Sequence, residues 1–405
     1  MRANSQKTKL GTQELVALMA LLMSFVALSI DAMLPALDAI QAHFAFPDPN
    51  DKQFVVSMIF AGMSAGLIFY GPLSDAFGRK PIFCLGISIF VVGTLIALFA
   101  HSYTVFLSGR FIQGLGAASS RVITTAMIRD QFSGKEMARI MSFIVIIFIL
   151  VPAIAPLIGQ GVLFVAGWKW IFGLFLLLAF TAGAWLVIRQ PETHPVEARV
   201  LLRFSTLRRA FGETVGNKVS RGYTLASGFI FGAMVGFLSS SQQILQVKFA
   251  LGDLFAFGFA GLALSVGVAS YLNSRLVMRF EVERICQITL AGMGGAGLLF
   301  ILLSEIAELS LGFGGTYVYL MTNLFCIGLL FPNFNTLAIT PLGHIAGLAG
   351  SVISTVQNFM AVAIGTLIGQ AYDGTLFPLA LGFTVCSLMS LVITSVTVRY
   401  GSLSA

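Results

Sequence analysis

The chain has 405 residues, of which 57% are hydrophobic and only 10% are charged. Soluble globular proteins carry about 25% charged residues, so this composition excludes a soluble protein and indicates a membrane protein. The net charge of +7 does not indicate a nucleic-acid partner, because the basic residues are spread over short loops instead of forming one patch.

Twelve apolar runs are long enough to cross a bilayer as helices, which takes about 20 residues each. They predict an all-α membrane protein with twelve transmembrane helices. The longest polar break, 189–220, predicts a linker between an N-terminal six-helix bundle, 1–188, and a C-terminal six-helix bundle, 221–405. The runs are 14–36, 52–71, 81–100, 104–127, 139–164, 169–188, 221–246, 254–276, 284–304, 313–336, 346–371 and 376–398.

The loop charges predict the orientation of the chain. Nineteen Lys and Arg residues fall on one side of the predicted spans, three fall on the other, and Arg110 and Arg121 lie inside the fourth span. Because basic loops stay in the cytoplasm, both termini are expected to be cytoplasmic. The four cysteines are isolated in apolar runs, so no metal site and no cofactor are predicted.

The first run carries a carboxylate, Asp31, in the stretch "LSIDAMLPAL". A carboxylate at membrane depth is costly and therefore marks a candidate functional site. None of the other runs carries a deep acid, so Asp31 is the candidate carrier of a transported proton. The alternative is a structural ion pair with Arg110, which lies at a similar predicted depth. Pro35, one turn later, is expected to bend the helix.

The break between the second and third runs reads "GPLSDAFGRKP", residues 71–81. Its glycines allow a tight turn, Pro72 is expected to limit the preceding helix, and Asp75 faces the basic pair Arg79 and Lys80. The string resembles the loop signature of the major facilitator superfamily. The matching positions are Gly71, Leu73, Asp75, Gly78, Arg79 and Lys80.

Other stretches resemble the Bcr/CflA branch of drug:proton antiporters. They include "RFIQG" at 110–114, "VPAIAPLIGQ" at 151–160, "PETHP" at 191–195 and "GHIAGLAGS" at 343–351. The resemblance implies two six-helix halves around a central cavity, and export of small compounds or drugs from the bacterial cytoplasm across the inner membrane in exchange for protons. It assigns proton coupling to Asp31 and Arg110. It assigns conformational gating to Gly71, Asp75, Gly78, Arg79, Lys80, Pro152, Pro156 and Gly159.

Arg121 is eleven residues after Arg110, which places both on nearly the same helix face, with Gly114 and Ala117 between them. Two interpretations remain open for Arg121. In the first, Arg121 lines a water-filled substrate cavity. In the second, its long side chain extends to the cytoplasmic surface, and Gly114 and Ala117 are small because the helices pack tightly there.

Polar side chains inside other runs are candidates for the substrate cavity. The alternative for each is a hydrogen bond between helices. Together with 37 phenylalanines, they would suit an amphipathic, partly aromatic substrate. The candidates, with Arg121, are Gln113, Gln242, Asn333, Gln357 and Asn358.

Other functional classes fit the sequence less well. A membrane enzyme would need clustered histidines or acids, and a transporter driven by ATP would need a phosphate-binding loop, G-x-x-x-x-G-K-[ST], which is missing. A channel would need no buried acid. Proton-coupled uptake, or export of a metabolite with a narrow range, remains the alternative. The expected partners are a small-molecule substrate, protons and the lipid bilayer, with the protein as a monomer.

Overall fold

The computed structural model describes residues 10–199, 204–306 and 311–404, which form helices and turns with no strand among them. Some residues used in the sequence predictions lie outside these ranges. They are the basic residues Arg2, Lys7 and Lys9 near the N-terminus, residues 200–203 of the predicted linker, and Glu308.

Each of the twelve predicted runs coincides with one long helix, with ends that differ by a few residues. Two shorter helices, α2 and α8, are additional. The first seven helices are α1 (Thr12–Asp31), α2 (Leu37–Phe44), α3 (Phe54–Phe77), α4 (Arg79–Leu98), α5 (Tyr103–Gln131), α6 (Gly134–Ala166) and α7 (Lys169–Arg189). The others are α8 (Phe204–Gly216), α9 (Lys218–Gln242), α10 (Phe255–Leu276), α11 (Val282–Ile301), α12 (Gly312–Ile339), α13 (Ala346–Gln370) and α14 (Phe377–Ser404).

Nine helical segments of the described chain are long and apolar enough to cross a bilayer. One of them, Gly312–Gln370, contains both α12 and α13. The helices α5, with 29 residues, and α6, with 33 residues, also exceed the length of a span. These helices account for the twelve predicted spans, and the chain is a multi-pass membrane protein.

The first span, Thr12–Phe44, changes helical geometry after Asp31. The helix α1 ends at Asp31, a short 3₁₀ turn follows at Leu34–Ala36, and α2 begins at Leu37. The α-helix therefore breaks at Asp31, but 3₁₀ geometry continues through Pro35 and Thr12–Phe44 remains one helical segment long enough to span a bilayer, so the predicted run over 14–36 is confirmed. Proline lacks the N–H that an α-helix needs and also disfavours helical geometry at the residue before it.

The predicted loop at 71–81 is almost entirely helical. The helix α3 runs to Phe77 with Pro72 inside it, so the expectation that Pro72 limits the helix is wrong. A proline removes only its own backbone hydrogen bond, and the later bonds of α3 continue past it. The turn consists of one residue, Gly78, whose φ of 103° strongly favours glycine. The next residue, Arg79, begins α4.

The described chain divides into two compact units. The first comprises Met1–Ala36 and Met58–Leu207, and the second comprises Leu37–Ser57 and Arg208–Ala405. The division between 207 and 208 falls within the polar segment 189–220, and the two six-helix bundles stay a prediction. The segment 37–57 differs, because it packs with the second unit although it precedes most of the first unit in sequence.

Candidate functional site

Asp31 is the last residue of α1, immediately before the break in the first span. Its exposed fraction is only 4%. Among the described residues, its carboxylate forms no hydrogen bond and no ion pair, so the structural pair with Arg110 is not present. An ionisable side chain at membrane depth is a candidate functional site, so Asp31 stays the predicted proton-binding residue.

Arg110 connects α5 to the last turn of α1. Its side chain is fully buried, and its Nη2 donates to the carbonyl oxygen of Ser29 at 3.1 Å, two residues before Asp31. Its Nη1 donates to Oε1 of Gln113, whose Nε2 donates in turn to Oγ1 of Thr94 at 3.0 Å. The structure therefore places the two predicted proton-coupling residues in one region. It also gives Gln113 the role of a bond between α4 and α5, which favours the helix-packing alternative over the cavity.

The helix α6 contacts the break after Asp31 through Gly159. A Cβ atom at this glycine would lie 1.9 Å from the carbonyl oxygen of Ala32, so no other residue fits without a shift of the backbone. Pro152 and Pro156 lie inside α6 upstream of this contact. Of the predicted gating residues of α6, Gly159 thus approaches the short segment of chain that follows the candidate proton site.

Arg121 is half-buried on α5 and forms no ion pair with a described acid. The small residues that precede it are packed. A Cβ atom at Gly114 would lie 2.0 Å from the carbonyl oxygen of Ile59 on α3, and Ala117 is fully buried. This close packing accounts for the small residues, so they no longer support a cavity wall. Both interpretations of Arg121 itself remain predictions.

A charged cluster surrounds the turn at Gly78. Arg79 is 2% exposed, and its guanidinium binds Asp75 through Nη1 and Asp130 through Nε, the latter at 2.8 Å. Its Nη1 also donates to Oγ of Ser74 at 2.7 Å. The predicted contact of Asp75 with Arg79 is therefore present. Lys80 points elsewhere and donates to the carbonyl oxygen of Val187 at 2.6 Å.

Two members of this cluster, Asp130 and Glu192, were not predicted from the sequence, and Glu192 binds the backbone of α4. Its carboxylate accepts the backbone N–H groups of Arg79 and Lys80, both at 3.0 Å, and so caps the first turn of α4. A carboxylate at a helix N-terminus is favoured by the free N–H groups and the helix dipole. Its signal in the sequence was an acid directly after the sixth span, within "PETHP". The cluster thus joins the end of α3, the start of α4 and the chain after α7.

Three predicted cavity residues of the second unit form hydrogen bonds inside it. Asn333 and Asn273 exchange two bonds of 2.8 and 3.0 Å between α12 and α10. Gln357 donates to Oγ of Ser227 at 2.5 Å and to Oδ1 of Asn335 at 3.1 Å. Asn358 donates to the carbonyl oxygen of Ser354 in its own helix. The bonds between α10 and α12 favour the helix-packing alternative for Asn333. Gln357 bonds Asn335, which is only half-buried, so its place in the substrate cavity stays a prediction.

The fourth, Gln242, is the last residue of α9 and bonds to the segment 37–57 of the same unit. Its Nε2 donates to Oδ2 of Asp38 at 2.6 Å, and the other oxygen of Asp38 accepts from Nζ of Lys52 at 2.6 Å. Beside this pair is a set of amides, which we call the amide cluster: Asn50, Gln53, Gln243 and Gln370. The bonds of Asp38 and those of the amide cluster connect the segment 37–57 to the rest of the second unit.

Asn50 is at the centre of the amide cluster, and Asn50 and Gln370 bond each other in both directions. Asn50 donates to the carbonyl oxygens of Gln370 and Tyr372 at 3.1 and 2.8 Å, and its own carbonyl accepts from Nε2 of Gln370 at 3.0 Å. Gln243 donates to Oδ1 of Asn50 at 2.8 Å and accepts from Nε2 of Gln53 at 2.5 Å. Hydropathy alone did not predict this cluster, because its members lie in separate polar breaks and at span ends.

Comparison with known proteins identifies the class to which this arrangement belongs. The sequence profile described as Major Facilitator Superfamily matches residues 19–366. The chain belongs to the major facilitator superfamily. The predicted family is thereby confirmed, and a member of this superfamily is a transporter and not an enzyme.

Curated relatives of this major facilitator chain include proteins named for drug resistance. It is 30% identical over 348 residues to a bicyclomycin resistance protein homolog from Haemophilus influenzae, covering 85% of this chain and 86% of that one. It is 27% identical over 327 residues to multidrug resistance protein D from Escherichia coli, covering 76% and 77%. The predicted resemblance to the bicyclomycin-resistance branch is confirmed.

Solved structures show the same fold at low identity. The D-xylose–proton symporter has a TM-score of 0.74 at 14% identity, covering 95% of this chain and 97% of its own. The human organic anion transporter MFSD10 (TETRAN) has a TM-score of 0.68 at 16% identity, covering 96% and 100%. At such identities the likeness shows the major facilitator fold alone, and that fold is the one predicted.

Proposed function

We propose that this transporter exports small amphipathic compounds or drugs from the bacterial cytoplasm in exchange for protons. The observation that carries the proposal is Asp31, a buried carboxylate at the break in the first span that has no ion-pair partner among the described residues. The relatives of this chain that are named for bicyclomycin and multidrug resistance support export of such compounds. The basic loops support an inner-membrane protein with both termini in the cytoplasm.

The proposed mechanism is alternating access driven by Asp31. The ionised carboxylate favours the state that loads substrate from the cytoplasm, and the protonated carboxylate favours the state that releases substrate outside. A ligand shifts a conformational equilibrium only if it binds the two states with different affinities, and here the proton is one of the two ligands. Arg110 has a positioning role, because its bond to the carbonyl of Ser29 fixes the last turn of α1 beside Asp31.

Two further clusters supply the proposed gating. The charged cluster of Asp75, Arg79, Asp130 and Glu192 holds the turn between α3 and α4. The amide cluster holds the segment 37–57 against the second unit. Any motion that separates this segment from α9 and α13 must break the bonds of Asn50, so the amide cluster would stabilise the state in which they are formed.

The direction of transport tests the proposal most directly. Everted membrane vesicles, acidified inside by respiration, are expected to accumulate bicyclomycin or an aromatic amphipathic compound through this protein, and to release it when a protonophore removes the gradient. Vesicles without the protein are the control. Accumulation only in right-side-out vesicles, driven by an acidic exterior, would establish proton-coupled uptake instead.

We expect Asp75→Ala to slow transport by about tenfold or more without removing substrate binding. The substitution deletes one of the carboxylates on Arg79 but leaves Asp130 in place, so α4 keeps its position and the effect falls on the balance between states. Binding affinity in detergent and transport rate in vesicles separate the two effects. Normal turnover by the variant, or an equal loss of affinity and rate, would contradict this role.

Arg121→Ala distinguishes the two interpretations of Arg121. If the guanidinium lines the substrate path, its removal should improve transport of a cationic compound and weaken that of an anionic one, because a fixed positive charge is lost. Arg121→Lys, which keeps the charge but loses the planar fork, should retain the wild-type preference. The measurement is the ratio of the two transport rates. An unchanged ratio in the alanine variant excludes Arg121 from the path and assigns it to the surface.

A further inference from the structure

The helix α8, within the linker between the two sets of six spans, presents two different faces. Ala210 and Thr214 are buried. Arg208 is exposed and Phe211 is 45% exposed, and Val215 is half-buried. Positions 208, 211 and 215 are spaced three and four residues apart, so they share one face of the helix. This face combines an exposed aromatic side chain with a cation.

The neighbouring helices place α8 close to the membrane surface. Only Asn217 separates its last residue, Gly216, from the start of α9, which is one of the transmembrane helices. The carboxylate of Glu213 binds the imidazole of His344, which lies in the turn between α12 and α13. The helix α8 is therefore next to the start of α9 and is joined by an ion pair to the turn between α12 and α13, and both of these places are ends of transmembrane helices.

The charges near α8 are almost all positive. Four basic residues between 208 and 221 are exposed: Arg208, Arg209, Lys218 and Arg221. The one acid in this stretch, Glu213, is already bound to His344. Basic residues beside a membrane span are attracted to anionic phospholipids, whereas zwitterionic phospholipids offer no net charge to them.

We propose that α8 lies in the plane of the leaflet and binds anionic phospholipid, with Phe211 inserted among the acyl chains and Arg208 on the headgroup phosphate. A short helix with an aromatic residue beside arginines is suited to this interfacial position. Arg209, on another side of the helix, adds attraction to the same surface. The binding is independent of the transported compound and of the direction of transport.

The depth of a nitroxide spin label measures whether α8 is inserted. Phe211→Cys carries the label, and Ser205→Cys, exposed about 120° away from Phe211 around the helix axis, is the control. Val215→Cys is a second site that keeps Phe211 in place. Cys84 is half-buried and is replaced by serine, while the other three native cysteines are buried. Collision with oxygen reports acyl chains, and collision with a water-soluble nickel chelate reports solvent.

The full-length protein is reconstituted in vesicles of phosphatidylethanolamine with phosphatidylglycerol, or with phosphatidylcholine at the same fraction. With phosphatidylglycerol, the oxygen-to-nickel ratio is expected to be several-fold higher at 211 than at 205, and raised at 215. Arg208→Gln combined with Arg209→Gln, or the phosphatidylcholine vesicles, should lower the ratio at 211 towards that of 205. A solvent-like ratio at 211 in phosphatidylglycerol would overturn the interfacial position, and equal ratios in both lipids would overturn recognition of the anionic headgroup.

Discussion

Asp31→Asn is expected to reduce proton-driven export to the level of vesicles that lack the protein. Asparagine has nearly the same shape as aspartic acid but does not bind and release a proton near neutral pH, so the chain folds while the exchange stops. Because the Asp31 carboxylate forms no hydrogen bond or ion pair with a described residue, the substitution leaves no described partner unsatisfied. Export is measured as accumulation of substrate in everted vesicles over a range of imposed pH gradients.

Two control variants make this result specific. Asp31→Glu keeps a carboxylate and should retain part of the proton-driven activity. Asp38→Asn removes a different acid, one that is bonded to Lys52 and Gln242, and should preserve the dependence on the gradient even if the rate falls. The asparagine variant should still exchange substrate for substrate without a gradient. Export by this variant at the wild-type rate, still dependent on pH, would show that another group carries the proton.

The spans were predictable because the bilayer imposes a simple requirement on each of them. A helix that crosses hydrocarbon must satisfy its own backbone bonds and present an apolar surface over about 20 residues, and hydropathy detects both length and surface. Functional candidates such as Asp31 stand out for the same reason, since a deep charge breaks the pattern. The turn at Gly78 was predictable from its glycine, although the helical extent of 71–77 was not.

The partners of the polar residues were not predictable in this way. Gln242 lies in an apolar run, and nothing in its neighbourhood in sequence shows that it binds Asp38, 204 residues away. Asn50 and Gln370 are likewise brought together only by the fold, across 320 residues. The helix α8 was not predicted from hydropathy, because it is short and contains no long apolar run. Pairings of this kind depend on which helices pack together, and hydropathy carries no information about that.

Substitutions at Gly159 are expected to have the other large effect, because they act on the contact between α6 and the break after Asp31. A Cβ atom there would lie 1.9 Å from the carbonyl oxygen of Ala32, and a backbone atom does not move aside as a flexible side chain does. Overpacking of this kind typically costs about 1–3 kcal/mol. We therefore expect Gly159→Ala to lower the melting temperature and impair transport, and Gly159→Val to do both more strongly.

Gly161 provides the matched control, since it lies in the same helix two residues later and a Cβ atom there would meet nothing within 4 Å. Gly161→Val changes helix propensity as Gly159→Val does, so a difference between the two variants measures the contact with Ala32 and not the loss of a glycine. Equal transport and equal melting temperatures in these two variants would show that the contact is dispensable.

The pH dependence of Gly159→Ala then tests whether the contact has a role beyond packing. If α6 responds to the protonation of Asp31 through Ala32, the variant should retain exchange of substrate without a gradient while the stimulation of export by a proton gradient falls. A purely structural contact would reduce both activities by the same factor, because fewer molecules would be folded. Expressing both rates per folded molecule, determined from the monodisperse fraction in detergent, separates the two cases, and only a selective loss of the gradient effect assigns Gly159 to proton coupling.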